Sequence, residues 1–214
     1  MYNFTFNIPT KIHFGKDTIS SLSELKAYGS KVLLVYGGGS IKKNGLYDTA
    51  MKILKDAGLT VFELSGVEPN PKIETVRKGV EICKNEGIDM VLAIGGGSTI
   101  DCSKVVAAGA RYDGDAWDLV LDGSKVKAAL PIFDVLTLSA TGTEMDPFAV
   151  ISDMSKNEKW GTGSPYMVPT MSILNPEYTF SVSKKQTAAG TADMMSHTME
   201  NYFSMENACL LYTS

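Results

Sequence analysis

The stretch Asp89–Lys104, DMVLAIGGGSTIDCSK, decides the fold. Met90–Ile94 is a short, wholly apolar run, long enough for a strand buried on both faces but too short for a stand-alone helix. Three glycines follow, and Ser98 then opens a segment with helical spacing, in which Ser98 and Asp101 resemble a capping box. A strand, a glycine turn and a helix N-terminus together bring backbone N–H groups up to a phosphate, although a tight turn without a ligand has the same pattern.

Similar alternation continues on both sides of this stretch. Further strands are predicted at Asn3–His13 (one or two strands), Lys31–Tyr36, Leu59–Leu64, Pro131–Leu138, Phe148–Ser152 and Met171–Leu174. Helices are predicted at Asp17–Tyr28, Tyr47–Asp56, Ile73–Asn85 and Ser103–Arg111. Tyr112–Ala128 is interpreted as a loose polar stretch and Lys156–Trp160 as a charged turn. Alternating strands and helices predict an α/β fold with a doubly wound, mostly parallel sheet.

The character of the chain changes at about Ser183. Lys184–Phe203 has no strand pattern and is rich in Ala, Met and polar residues, which indicates the start of a helical region. We therefore expect a dinucleotide-binding α/β domain at residues 1–182 and the beginning of a helical metal-binding domain at residues 183–214. Asn207–Ser214 carry no cap or terminator, so we expect a C-terminally truncated chain.

Bulk properties exclude several classes of protein. The net charge of −4 and the absence of a Lys/Arg cluster argue against nucleic-acid binding. No apolar run approaches the roughly 18 residues that span a bilayer, and the N-terminus lacks the apolar region of a signal peptide. Three cysteines at unrelated spacings (Cys83, Cys102 and Cys209) form neither a disulfide framework nor a metal knuckle, which indicates the cytoplasm.

A second GGGS turn, Gly37–Ser40, follows the predicted strand Lys31–Tyr36. Ligands of open α/β sheets bind outside the carboxyl ends of the strands, so Gly95–Ser98 is expected to hold a pyrophosphate and Gly37–Ser40 an adenosine ribose. The second turn contains no acidic residue to bind a ribose 2′-hydroxyl, and Lys42 and Lys43 follow it. This composition favours NADP(H) over NAD(H), whereas two ordinary turns remain the alternative.

Hydroxyl and metal-ligating side chains follow in the second half of the chain. Thr137–Glu144 places four hydroxyls after a strand, where they could donate to phosphate or ribose oxygens or simply form a turn. Asp193 and His197 share one helix face at i and i+4, a spacing that suits one divalent metal but is also common for surface pairs. A catalytic site would need at least one further ligand, and His13 lies too far away in the sequence to be recruited.

Taken together, these motifs resemble the iron-containing, group III alcohol dehydrogenase family, and within it the NADPH-dependent butanol dehydrogenase branch. The resemblance covers the chain to about Ser204. It rests on Phe14–Ile19 (FGKDTI), Tyr36–Asp48 (YGGGSIKKNGLYD), Ile94–Lys104 (IGGGSTIDCSK), Thr137–Glu144 (TLSATGTE) and Gly190–Glu200 (GTADMMSHTME).

The resemblance implies a dinucleotide-binding domain, an all-helical domain and an active site in the cleft between them. It assigns Gly37, Gly38 and Ser40 to the adenosine 2′-phosphate, Gly95, Gly96, Gly97 and Ser98 to the pyrophosphate, Thr137, Leu138 and Thr141 to the cofactor lining, and Asp101 and Lys159 to the ribose and nicotinamide end. Asp193 and His197 match the first two ligands of a site for Fe²⁺ or Zn²⁺ that normally has one Asp and three His. The other two histidines would lie beyond Ser214.

The resemblance also implies a function, namely metal-dependent interconversion of primary alcohols and aldehydes. It implies a small alcohol or aldehyde as substrate, a homodimer of the full-length protein, and an inactive chain if the missing ligands are required. A dehydroquinate synthase-type lyase shares the glycine loop but would need a basic cluster, which the sequence lacks. A non-catalytic nucleotide-binding module is the alternative from another class.

Overall fold

The computed structural model describes residues 7–203. The predicted strand character before Asn7 and the predictions for Cys209 and Asn207–Ser214 lie outside the described residues.

A six-stranded parallel sheet forms the centre of the molecule, in the order β1-β8-β5-β4-β2-β3. Its strands are β1 (Lys11–Phe14), β2 (Lys31–Tyr36), β3 (Thr60–Leu64), β4 (Met90–Gly95), β5 (Ile132–Leu136) and β8 (Met171–Leu174). An antiparallel hairpin is formed by β6 (Phe148–Asp153) and β7 (Glu158–Gly163). The predicted α/β class and the mostly parallel sheet are confirmed.

Helices connect the strands and cover the sheet. They are α1 (Ser40–Lys43), α2 (Leu46–Asp56), α3 (Ile73–Glu86), α4 (Gly97–Gly109), α5 (Ala116–Leu121) and α6 (Lys184–Phe203). The predicted helix after Asp17 is a 3₁₀ helix, Thr18–Tyr28, whose buried residues Ile19, Leu22 and Leu25 recur every three positions. A spacing of three matches the three residues per turn of a 3₁₀ helix.

Strand β2 illustrates how both faces of the sheet are buried. Val32 and Leu34 belong to a core that includes Ala50 and Leu54 of α2, whereas Leu33 and Val35 face a second core built by α3, α4 and α5. All four β2 side chains are completely buried. Successive side chains of a strand point to opposite faces, so an uninterrupted apolar run is the pattern of a strand covered on both sides.

The order of the strands creates a crevice between β2 and β4. These strands are hydrogen-bonded neighbours in parallel register, from Val32 opposite Met90 to Tyr36 opposite Ile94. Helix α2, which follows β2, packs on one face of the sheet, and α4, which follows β4, packs on the other face. A topological switch point of this kind is where α/β proteins bind ligands.

Two segments predicted as irregular are ordered elements. Within Tyr112–Ala128, the Asp115 side chain accepts from the Trp117 N–H and caps α5, whose apolar face buries the Trp117 ring. Lys156–Trp160 is not a turn throughout, because Asn157 ends the turn with a φ of 54° and strand β7 then begins. Both predictions were wrong because these elements are short and depend on tertiary partners.

Helix α6 begins one residue after the predicted domain boundary at 182/183. The division into two domains stays a prediction. No helix among residues 7–203 has both the length and the hydrophobicity to cross a membrane.

Candidate functional site

The loop between β4 and α4 fits closely against the segment that follows β5. A β-carbon at Gly96 would lie 3.3 Å from Leu138 Cβ, and one at Gly97 would lie 3.3 Å from Thr141 Oγ1. The Thr137 N–H donates to the carbonyl of Gly95 at 2.9 Å. The structure therefore brings the Gly95–Ser98 turn into contact with the Thr137–Thr141 segment. A side chain larger than glycine at position 96 or 97 would fill the space next to the bare backbone of the turn.

The second glycine turn lies beside the same helix start. A β-carbon at Gly37 would lie 3.2 Å from the Val67 carbonyl oxygen and 3.9 Å from Thr99 Oγ1. Gly38 and Gly39 have no atom within 4 Å of the corresponding position, so this part of the turn faces open space. The two GGGS turns thus adjoin through Thr99, at the crevice between β2 and β4, and Ser40 begins α1 beside them.

Asp101 does not act in a capping box, and that prediction was wrong. The N-cap of α4 is Gly96, without a side-chain cap. Asp101 instead accepts from Thr143 Oγ1 at 2.7 Å and from the Val150 N–H at 3.0 Å. Burial raises the pKa of its carboxyl, and these two hydrogen bonds oppose that shift. Asp101 thereby joins the glycine-loop helix to strand β6, whereas its predicted contact with a ribose stays a prediction.

Lys104, one turn further along α4, was missed by the sequence analysis. Its side chain is completely buried. Nζ donates to Thr143 Oγ1 (2.9 Å), to the Asp146 carbonyl (2.9 Å) and carboxylate (2.8 Å), and to the Phe148 carbonyl (2.8 Å). Asp101 and Lys104 together fix the Thr143–Phe148 segment on α4. One feature of the sequence could have identified Lys104 as buried. It follows the apolar Ile100 by four residues, so both side chains lie on the same, buried face of the helix.

Asp134 is a second buried ionisable residue that the sequence analysis did not single out. It lies in β5, is completely buried, and its Oδ2 is 2.6 Å from Ser172 Oγ. Ser172 Oγ also lies 2.7 Å from the Glu144 carbonyl oxygen. A hydroxyl has one hydrogen, so Ser172 cannot donate fully to both acceptors at once, and this arrangement favours the protonated form of Asp134. Burial accordingly raises the pKa of Asp134 well above its ordinary value. The signal was an acidic residue inside an apolar run.

Lys159 lies on the exposed side of the β6–β7 hairpin. Its Nζ donates to Asn70 Oδ1, 2.7 Å away on the loop that follows β3. Both residues line a cavity of about 260 Å³. The hairpin is attached to the glycine-loop helix through Asp101 and Lys104. The role of Lys159 at the nicotinamide end stays a prediction.

Helix α6 carries the candidate metal ligands next to the segment after β5. A β-carbon at Gly190 would lie 3.2 Å from the Ser139 carbonyl oxygen, which places the helix against the neighbour of Leu138. Asp193 Oδ1 and His197 Nε2 are 3.7 Å apart, and their side chains are 42% and 56% exposed. The pair could therefore hold one divalent ion. Within residues 7–203 no group of three or more His, Cys, Asp and Glu is suited to a metal.

A cavity of about 200 Å³ opens at the same edge of the sheet. Its lining includes Leu136, Ser139, Glu144 and Leu174. It therefore lies at the carboxyl ends of β5 and β8, beside the segment that contacts both the glycine loop and α6.

Comparison with known proteins adds an independent finding. Residues 9–176 match the family model described as iron-containing alcohol dehydrogenase. The chain is 62% identical to NADH-dependent butanol dehydrogenase A of Clostridium acetobutylicum, over 95% of the chain and 53% of the relative. It is 40% identical to the NADPH-dependent aldehyde reductase YqhD of Escherichia coli, over 94% of the chain and 52% of the relative.

Solved structures of a butanol dehydrogenase and of YqhD have the same fold as this chain. NADH-dependent butanol dehydrogenase A of Thermotoga maritima superposes with a TM-score of 0.91 at 49% identity, over 95% of the chain and 52% of that structure. Escherichia coli YqhD gives a TM-score of 0.91 at 38% identity, over 97% of the chain and 54% of that structure. The chain spans about half the length of the curated relatives it matches.

Proposed function

The chain belongs to the iron-containing alcohol dehydrogenase family, and from this we propose that it is the dinucleotide-binding part of an oxidoreductase that interconverts primary alcohols and aldehydes. One observation carries the proposal. The glycine loop of β4–α4 packs against Leu138 and Thr141, and the same segment packs against α6, which bears Asp193 and His197. The elements proposed to bind the cofactor and the metal are therefore adjacent.

Each part of the site has its own task in this proposal. Gly95–Gly97 and Ser98 bind the pyrophosphate through backbone N–H groups at the start of α4. Thr137, Leu138 and Thr141 would line the cofactor. Asp193 and His197 would hold Fe²⁺ or Zn²⁺ with ligands from outside residues 7–203, and such an ion supplies Lewis-acid polarisation of the substrate oxygen. The physiological substrate is a small alcohol or aldehyde.

We propose that both dinucleotides bind. The turn Gly37–Ser40 contains no carboxylate that would repel a 2′-phosphate, and Gly38 and Gly39 face open space. The relatives' names include both NADH-dependent and NADPH-dependent enzymes. The preference for NADP(H) indicated by the turn's composition stays a prediction.

A cytoplasmic homodimer is the proposed state of the whole protein. Cys83 and Cys102 are free and buried thiols, and burial raises the pKa of Cys83 to about 12. A thiol with so high a pKa is protonated and unreactive at neutral pH, and two free thiols suit a reducing compartment.

Replacing Gly97 with valine tests the cofactor site. The added side chain would contact Thr141 Oγ1 and cover the backbone that receives the pyrophosphate. We expect the affinity for both NAD⁺ and NADP⁺, measured by isothermal titration calorimetry, to fall at least about tenfold, or roughly 1.4 kcal/mol. Ala128→Val, an exposed position before β5, is the matched control. Unchanged affinity in Gly97→Val would refute the proposed site.

Metal addition separates the proposed enzyme from a nucleotide-binding module. Zn²⁺ at about 100 times its dissociation constant should stabilise the chain by about 2.7 kcal/mol, seen as a raised unfolding midpoint. His197→Ala should abolish this response, whereas His13→Ala, which removes the other histidine, should keep it. A midpoint that ignores Zn²⁺ even in the full-length protein, where the further ligands are expected, would favour the module.

A further inference from the structure

A cluster of two tyrosines, a glutamate and a lysine lies beside the Gly37–Ser40 turn. Tyr36 ends β2 and Tyr47 belongs to α2, and their rings meet edge to face with centroids 5.7 Å apart. The Tyr36 hydroxyl donates to Glu63 Oε2 at 2.6 Å, and the Tyr47 hydroxyl donates to Oε1 at 2.8 Å. Both carboxylate oxygens of Glu63 are therefore occupied, and the two rings are held in place.

Lys42 lies over these rings. Its Nζ is 5.0 Å from the centroid of Tyr36 and 4.5 Å from that of Tyr47. An ammonium at these distances is attracted to the aromatic faces. The contact with Tyr36 makes the largest contribution to raising the pKa of Lys42, and the charge interactions with Tyr36, Tyr47 and Glu63 raise it further. The side chain therefore stays cationic.

The negative charge of Glu63 also attracts Lys42 toward the two rings. Burial raises the pKa of its carboxyl, but hydrogen bonds from Tyr36 and Tyr47 and the charge of Lys42 outweigh this, and the net pKa is lowered. An ionised Glu63 on β3 thus favours the position of Lys42 over the two rings. The neighbouring Lys43 is exposed and follows the same turn.

We propose that Lys42 is the specificity-determining residue for the 2′-phosphate of NADP(H), and that Glu63 and the two tyrosines restrict its availability. The inference rests on the proposed cofactor site. The turn Gly37–Ser40 offers glycine N–H groups and one serine hydroxyl but no cation, whereas a phosphate is bound most strongly by charged donors. Lys42 follows the turn by two residues, and we expect its Nζ to leave the rings when it binds a 2′-phosphate. The cluster therefore keeps the affinity for NADP(H) close to the affinity for NAD(H).

Single and double substitutions test this coupling. We expect Glu63→Gln to tighten NADP⁺ binding about three- to fivefold and to leave NAD⁺ binding unchanged, because the lysine is held less firmly. Lys42→Ala in the Glu63→Gln background should remove the entire gain. Lys43→Ala, which removes the same charge one residue away, is the matched control and should leave the gain in place. Lys42, Lys43 and Glu63 are exposed, so these variants are expected to fold.

Calorimetric titration of each variant with NAD⁺ and with NADP⁺ distinguishes the outcomes. A gain that persists in the Lys42→Ala double variant would show direct repulsion by Glu63 and overturn the role of Lys42. Equal shifts for both dinucleotides, or no shift in Glu63→Gln, would also overturn it while leaving the proposed function intact. If the unaltered chain binds neither dinucleotide, the proposed function fails and the inference fails with it.

Discussion

Lys104→Met is expected to lower the free energy of unfolding by about 3 kcal/mol, at the lower end of the range for breaking a buried ion pair. Methionine can fill the space of the lysine stem but cannot donate. The carbonyl oxygens of Asp146 and Phe148 would lose a buried donor. The Asp146 side chain is 31% exposed and can recruit water, which moderates the loss. Urea unfolding of the two proteins measures the difference.

The same variant should also bind dinucleotides more weakly, because Lys104 and Asp101 fix the segment after β5 and strand β6 on the glycine-loop helix. Lys84→Met is the control, since Lys84 is exposed and its ammonium donates to one carbonyl, that of Tyr112. We expect that control to change stability by less than about 1 kcal/mol. A Lys104→Met effect as small as the control's would contradict the structural role assigned to the ammonium.

Asp134→Asn is expected to change how stability depends on pH. The amide keeps the shape of the carboxyl and can still form a hydrogen bond with Ser172 Oγ, but it has no proton to lose. The stability advantage of the variant over the unaltered chain should grow by about 1.4 kcal/mol per pH unit above about pH 5. It should level off once Asp134 ionises in the folded protein. Chemical denaturation at several pH values measures this difference.

The sign of this pH dependence follows from the direction in which the pKa of Asp134 is shifted. Burial raises the folded-state pKa of Asp134 above its unfolded value, Glu144 adds to that shift, and Ser172 and Lys104 oppose it. The stability contributed by the protonated acid is complete below the unfolded pKa and is lost as the pH rises through the folded pKa. Asp122→Asn is the control, because Ser124 lowers the pKa of that exposed carboxyl. Its curve should run parallel to that of the unaltered chain above pH 5. A parallel curve for Asp134→Asn would disprove the protonated acid.

Much of the fold could be predicted from the sequence because burial on both faces leaves a simple pattern. Strands β2 and β4 are uninterrupted apolar runs followed by glycine turns, and each needs only local information to be identified. Helix α5 and strand β7 could not be found in this way. Helix α5 is six residues long, and β7 contains two glycines, so both depend on packing that the sequence does not display.

The site was predictable in part for a similar reason. The two GGGS turns were marked by composition, and their proximity follows from parallel strands whose carboxyl ends share one edge. The buried network around Lys104 was not predicted, because its acceptors lie 39 to 44 residues later in the chain. Asp101 was interpreted as a local cap for the same reason, whereas its partners Thr143 and Val150 are distant in sequence.

Strand β1 lies at the edge of the sheet and pairs there with β8, Lys11 opposite Met171. During synthesis this edge cannot form until about 160 further residues have left the ribosome. Closing so long a loop is entropically costly, which places the pairing late in folding. Until then β1 and the outer edge of β5 present unpaired backbone groups, the kind of edge on which chains associate. The late emergence of β8 from the ribosome would therefore govern how long these strand edges stay open to association with other nascent chains.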